Sequence, residues 1–185
     1  MRLLALLLAF AIAAPSQAQA PSPHAIDIPR WFSETFLDLR EDVREAATQG
    51  KRVMLYFGQD GCPYCTALMQ TNFSQRAIAD KTRRHFVAIA LNLWGDREVA
   101  WLDGRRMSEK ALGRELRVAY TPTLVLFDRG REVFRIDTYL RPFHLASALD
   151  YVASGAYRKE PSFQRYLQAR AERLRARGQA VDLWK

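Results

Sequence analysis

The chain is poor in metal-binding residue types: its 185 residues include two cysteines and three histidines. Structural zinc takes four ligands, and His24, His85 and His144 are scattered along the sequence. A zinc-built fold is therefore excluded. Long apolar runs are equally scarce. Beyond the first twenty residues no segment approaches the roughly 20 apolar residues that a membrane-spanning helix needs. The chain also lacks internal repeats and low-complexity tracts. At 185 residues it is long enough to bury a real hydrophobic core in one domain with attachments.

The one apolar run is at the start. MRLLALLLAFAIAAPSQAQA has a basic residue at Arg2, an apolar stretch from Leu3 to Ala14 and small residues after Pro15. This is the layout of a secretory signal peptide, with cleavage expected after Ala18. An uncleaved membrane anchor is the competing reading, and the stretch is short for it. The expected division is a signal peptide over residues 1–18, a mobile lead over 19–30, a folded domain over 31–155 and a basic helical extension over 156–185. The mature protein is expected to be soluble and periplasmic. Acidic residues are the minority, and the formal charge is +8. The excess concentrates in residues 158–185, where eight basic residues face three acidic ones. An exported protein meets no chromosomal DNA, so a nucleic-acid partner is not expected. The basic tail reads either as a solvated helix face or as a docking surface for an acidic partner protein or anionic lipid headgroups.

Periodicity predicts the elements. Phe32, Phe36, Leu39, Val43 and Ala46 recur at helical spacing until Gly50. RVMLYF (52–57) is a strand by composition. CPYCTALMQ then starts a helix with Pro63 in its first turn, where the missing N–H costs nothing. Asn72 to Ser74 break that helix, and Ser74 is the expected cap of a second piece running to about Arg83. FVAIALNL (86–93) is apolar on both sides, as a buried parallel strand requires, and it completes a right-handed βαβ unit. Asp103-Gly104 marks a turn between short extended pieces. SEKALGREL (108–116) is a short helix, and TLVLF and EVFRID form an antiparallel hairpin. Pro142 to Ala153 is helical, and Phe163, Tyr166, Leu167 and Leu174 make the basic tail an amphipathic helix.

Both cysteines lie in YFGQDGCPYC, a strand feeding a helix whose first turn holds Cys62-Pro63-Tyr64-Cys65. A bridge across two residues closes too short a loop to stabilise the fold much, and an exported chain meets an oxidising compartment. The placement points to chemistry. Unpaired N–H groups and the dipole at a helix N-terminus stabilise a thiolate, the nucleophilic form of cysteine. Cys62, at the helix entrance, is the expected attacker on a substrate disulfide. Cys65, one turn on and more buried, is the expected resolving thiol. In AYTPTLVLF, Thr121-Pro122 immediately precedes a strand, an awkward place for a trans proline. A cis bond there would set the Thr121 backbone beside the dithiol, ready to pair with an extended peptide.

These segments together resemble the thioredoxin superfamily: CPYC after a strand, VAYTPT before another, the Asp-Arg-Gly-Arg hairpin and the closing helix. The resemblance covers about residues 30–155. It is strongest to the exported thioredoxin-like proteins found with bacterial sulfur-oxidation systems. It implies an α/β thioredoxin fold, a mixed central sheet flanked by helices, here with an N-terminal helix and an additional basic C-terminal helix. It implies Cys62 as nucleophile, Cys65 as resolving thiol and Pro122 as a cis proline, with Pro63, Tyr64 and Thr121 supporting them. It implies no cofactor beyond the Cys62–Cys65 disulfide. The implied partners are disulfide-containing periplasmic proteins and a membrane electron donor, and the implied state is a monomer. Three departures stand out. Tyr56 occupies the position of the buried aspartate of ordinary thioredoxin, and Ala90 that of its companion lysine. Pro63-Tyr64 is the glutaredoxin dipeptide. The insertion from Trp94 to Met107 is long, and Trp94 and Trp101 are expected to pack its hairpin.

The activity expected is thiol–disulfide exchange, with reduction of partner disulfides preferred on resemblance. Oxidation or isomerisation of disulfides, Cu(I) binding by Cys62, Cys65 and a histidine, and a non-catalytic partner-binding module are the alternatives.

Overall fold

The computed structural model describes residues 26–183. The expected signal peptide, the start of the lead, His24 and the last two residues of the tail lie outside them. Arg52–Gly58 forms the central strand β1, buried along nearly its whole length. Phe86–Asn92 forms β2, Thr123–Asp128 β5 and Arg131–Ile136 β6, and the four strands lie in the order β2-β1-β5-β6. β2 runs parallel to β1, while β5 and β6 are antiparallel to their neighbours. Arg129 and Gly130, both with positive φ, make the two-residue turn between β5 and β6, a conformation that suits the right-handed strand twist. Between β2 and β5 lies a small separate hairpin, β3 (Glu98–Ala100) with β4 (Arg106–Ser108), turned at Asp103-Gly104.

Alternation along the strands sorts the core into two layers. Met54, Tyr56, Ala88, Leu124 and Leu126 face one side, where α2 (Pro63–Ala67) and α5 (Pro142–Ala153) cover them. Val53, Leu55, Phe57, Ile89, Leu91 and Val125 face the other, covered by α1 (Leu39–Thr48) and α4 (Glu109–Glu115). Leu145, Leu149 and Val152, one stripe of α5, are fully buried, and each such side chain contributes about 1.5–3 kcal/mol. Ser108 caps α4 by accepting from Ala111 N. The tail helix α6 (Phe163–Ala176) lies against α5, with the Phe163 and Tyr166 rings 5.5 and 5.0 Å from Tyr151. Asp150 of α5 takes Lys81 from α3 (Arg76–His85) on one oxygen and Arg170 from α6 on the other. Asp128 receives Tyr157 and Arg158 at 2.5 Å, tying the start of the tail to the sheet.

Three expectations change. The first helix begins at Leu39, not near Phe32: Asp38 caps it, Leu37 has φ +58°, and Ser33 N donates to Ala88 O of the edge strand. Phe32 is buried beside Phe73 while Phe36 is fully exposed, so their helical spacing is accidental. Ser74 does not cap α3; its hydroxyl donates back to Gln70 O, and the helix starts after Gln75. Trp94 does not pack the hairpin, because the residue is 68% exposed. Trp101 does pack, edge-on to Phe127 at 5.9 Å. Ile26 and Ile28, within the expected lead, pack half-buried against the first core layer.

Candidate active site

Gly61, with φ +67°, turns the chain out of the β1 loop and into Cys62. Cys62 is the N-cap of α2, and Pro63 takes the first helical position. The helical run continues past Ala67 as a single wide turn over Leu68–Asn72. The Cys62 sulfur accepts the backbone N–H of Cys65 at 3.1 Å, a bond that favours a charged acceptor. The two cysteines form a disulfide with their Cα atoms 5.2 Å apart. Cys62 is 6% exposed and Cys65 wholly buried. The asymmetry is that of an outer and an inner sulfur.

A second chain segment closes over the outer sulfur. Thr121 donates its hydroxyl to Cys62 Sγ at 3.4 Å, and its carbonyl oxygen lies 3.5 Å from the same atom. The Thr121–Pro122 peptide bond is cis. Thr123 donates its hydroxyl to Tyr120 O at 2.8 Å, fixing the turn at the head of β5. Cys62, Cys65 and Thr121 are thus brought together, with Pro122 buried just behind. Pro63 and Tyr64 face outward, and the Tyr64 ring stacks on Tyr139 at 6.0 Å.

Beneath the pair, Tyr56 stands opposite Ala90 on β2 and Leu124 on β5. It is 1% exposed, and among the described residues its hydroxyl has no hydrogen-bond partner. Burial pushes its pKa well above the ordinary phenol value. At neutral pH Tyr56 is a neutral wall, not a base. Among the described residues no group of three or more His, Cys, Asp or Glu is arranged to hold a metal. His85 ends α3, and burial lowers its pKa; His144 lies on α5, lowered by burial and by Arg141.

Three residues near the pair had no assigned role in the sequence, Gln59, Tyr120 and Tyr139, and a fourth, Trp94, was expected to pack the hairpin instead. Trp94 Nε1 donates to Gln59 Oε1 at 2.8 Å, and Tyr120 is 68% exposed beside Thr121. Only an excess of aromatic residues near the motifs could have hinted at them. The arrangement has the parts needed to pass two electrons between sulfur pairs: an outer sulfur at a surface, an inner sulfur in reach, and backbone beside both.

A family model described as a thioredoxin-like domain matches residues 39–153. None of the curated proteins matches the chain. Among solved structures, a thioredoxin-fold protein from Helicobacter pylori is 24% identical with a TM-score of 0.53, over 65% of this chain and 81% of that one. A thioredoxin from Thermus thermophilus is also 24% identical, with a TM-score of 0.52 over 66% and 90% of the two chains.

Proposed function

The chain belongs to the thioredoxin-like domain family, and from that premise we propose that it is an exported thiol–disulfide oxidoreductase that reduces the disulfides of periplasmic proteins. The observation that carries this reading is the Cys62–Cys65 disulfide at a helix N-terminus, with the outer sulfur against Thr121.

In the reduced protein, the Cys62 thiolate attacks one sulfur of a partner disulfide. The partner S–S bond breaks, a Cys62–partner S–S bond forms, and the other partner sulfur leaves as a thiolate that takes up a proton. Cys65, as thiolate, then attacks the Cys62 sulfur. The mixed disulfide breaks, the Cys62–Cys65 bond forms and the second partner thiol departs. Two electrons pass from the pair to the partner, and a dithiol protein donor at the membrane restores them by the same exchange in reverse. Thr121 and Pro122 form the wall along which the partner chain lies, and Pro63 and Tyr64 set the entrance. No cofactor takes part beyond the cysteine pair.

Residues 1–18 act as the export signal, and the mature chain works as a monomer in the periplasm. The type is that of the proteins associated with sulfur-oxidation systems. Residues 156–185 form the basic extension, whose exposed arginines suit an acidic partner.

Catalysed reduction of insulin by dithiothreitol tests the reading. Cys62→Ser is expected to bring the rate down to that of dithiothreitol alone, and an unchanged rate would refute it. The reduction potential tests the direction. A value near the roughly −270 mV of thioredoxin supports a reductase, whereas one near about −120 mV makes the protein an oxidant.

A further inference from the structure

We propose that Trp94 is a specificity-determining residue, and that its exposed ring receives a bulky apolar side chain flanking the disulfide of a protein substrate. This rests on the exchange reading above and adds a substrate class to it: disulfides within extended protein segments rather than small disulfides.

Cys62 is only 6% exposed, so a substrate sulfur that reaches it brings its flanking atoms against the surrounding surface. That surface is aromatic. Of the four exposed large hydrophobic side chains among the described residues, three belong to or are bonded to the segments that flank the disulfide: Tyr64, Trp94 and Tyr120. Tyr64 lies between the cysteines, and Tyr120 precedes the threonine whose hydroxyl meets Cys62. Trp94 comes from a different segment, after β2, and is held to the loop before Cys62 through Gln59. Tryptophan and tyrosine on a surface supply large contact areas with few rotatable bonds, and such residues dominate binding energy.

The backbone under Trp94 is fixed in advance, which lowers the ordering cost of binding. Trp94 N donates to Asn92 Oδ1 at 3.0 Å, and Leu93 N donates to Gly58 O at 2.8 Å. Below them the buried Glu109 accepts Asn92 N at 2.8 Å and the Arg97 guanidinium at 2.7 Å. A ring placed only to fill the hairpin would be at least half-buried, as Trp101 is. Trp94 is bonded at its polar edge, and most of the residue is left to solvent.

The test compares wild type, Trp94→Ala and Trp94→Phe on insulin and on hydroxyethyl disulfide, each with dithiothreitol as reductant. The ratio of kcat/KM for insulin to that for the small disulfide is expected to fall about tenfold in Trp94→Ala, chiefly through KM, and to recover largely in Trp94→Phe. An equal loss on both substrates would make Trp94 a brace of the site and overturn the proposal, as would no loss on either. If wild type accelerates neither reduction, the exchange reading itself fails and the proposal falls with it.

Discussion

Asp42 gives the most quantitative prediction about the fold. Its side chain, in the first turn of α1, is 9% exposed, and Thr35 donates its hydroxyl to Oδ2 at 3.2 Å. Burial pushes the carboxyl from its ordinary 3.8 up to about 6; the Thr35 bond opposes the rise, and the charges of Asp38, Glu45 and Glu41 add to it. The folded protein therefore holds this proton more tightly than the unfolded chain. The stability from this group is present at low pH and is lost as pH rises from about 4 to about 6. A rise of about two pK units corresponds to about 3 kcal/mol. Asp42→Asn keeps the shape and an acceptor for Thr35 but never ionises. At pH 7 it should be more stable than wild type by up to about 3 kcal/mol, with each kcal/mol raising Tm by about 2–4 °C in a chain of this size. At pH 4 the two proteins should be nearly equal. Urea unfolding of both at the two pH values measures the gap, and carboxylates that do not interact with Asp42 cancel in the difference. An Asn variant less stable at pH 7, or a gap that does not close towards pH 4, would refute the reasoning.

Three further predictions concern buried groups beneath the cysteine pair and after β2. Tyr56→Phe removes a buried hydroxyl without a partner, so it should leave stability unchanged or raise it by about 1 kcal/mol in urea unfolding. A β-carbon at Gly58 would overlap that hydroxyl, so Gly58→Ala should cost about 1–3 kcal/mol, and less in the Tyr56→Phe background. A loss greater than 1 kcal/mol in Tyr56→Phe alone would mean that the hydroxyl is bonded. Glu109→Ala strips the acceptor from Asn92 N, Arg97 N and the Arg97 guanidinium. It should cost about 2–3 kcal/mol, at the low end for a broken buried pair because Arg97 is partly exposed. Glu109→Gln should cost less, and a loss below about 1 kcal/mol for the alanine variant would contradict the role given to Glu109.

Much of this architecture is written in local patterns. β1 and the edge strand β2 read correctly because strands covered on both faces need unbroken apolar runs, and α4 because Ser108 announces its cap. α5 and α6 follow from stripes at helical spacing. The start of α1 was hidden because Phe32 and Phe36 fall on that spacing while turning to opposite environments, a choice made by the Ser33–Ala88 bond to a distant strand. At the site, the cysteine pair and Thr121-Pro122 are visible as motifs about sixty residues apart. Tyr56 was recognisable as a substitute for an acid because its strand position is readable. That Trp94 is exposed, and that Tyr139 stacks on Tyr64, depend on how segments fold back on one another. Spacing along the chain carries no trace of either.

The central claim is that Cys62 attacks and Cys65 resolves. Cys65→Ser should halt the exchange at the mixed disulfide. Incubating the reduced variant with a disulfide-bearing protein such as insulin, followed by non-reducing mass spectrometry, should reveal a covalent adduct mapped to Cys62. Cys62→Ser should form little or none, because the remaining sulfur is buried. An adduct that forms equally well through Cys65, or none with either variant, would contradict the account.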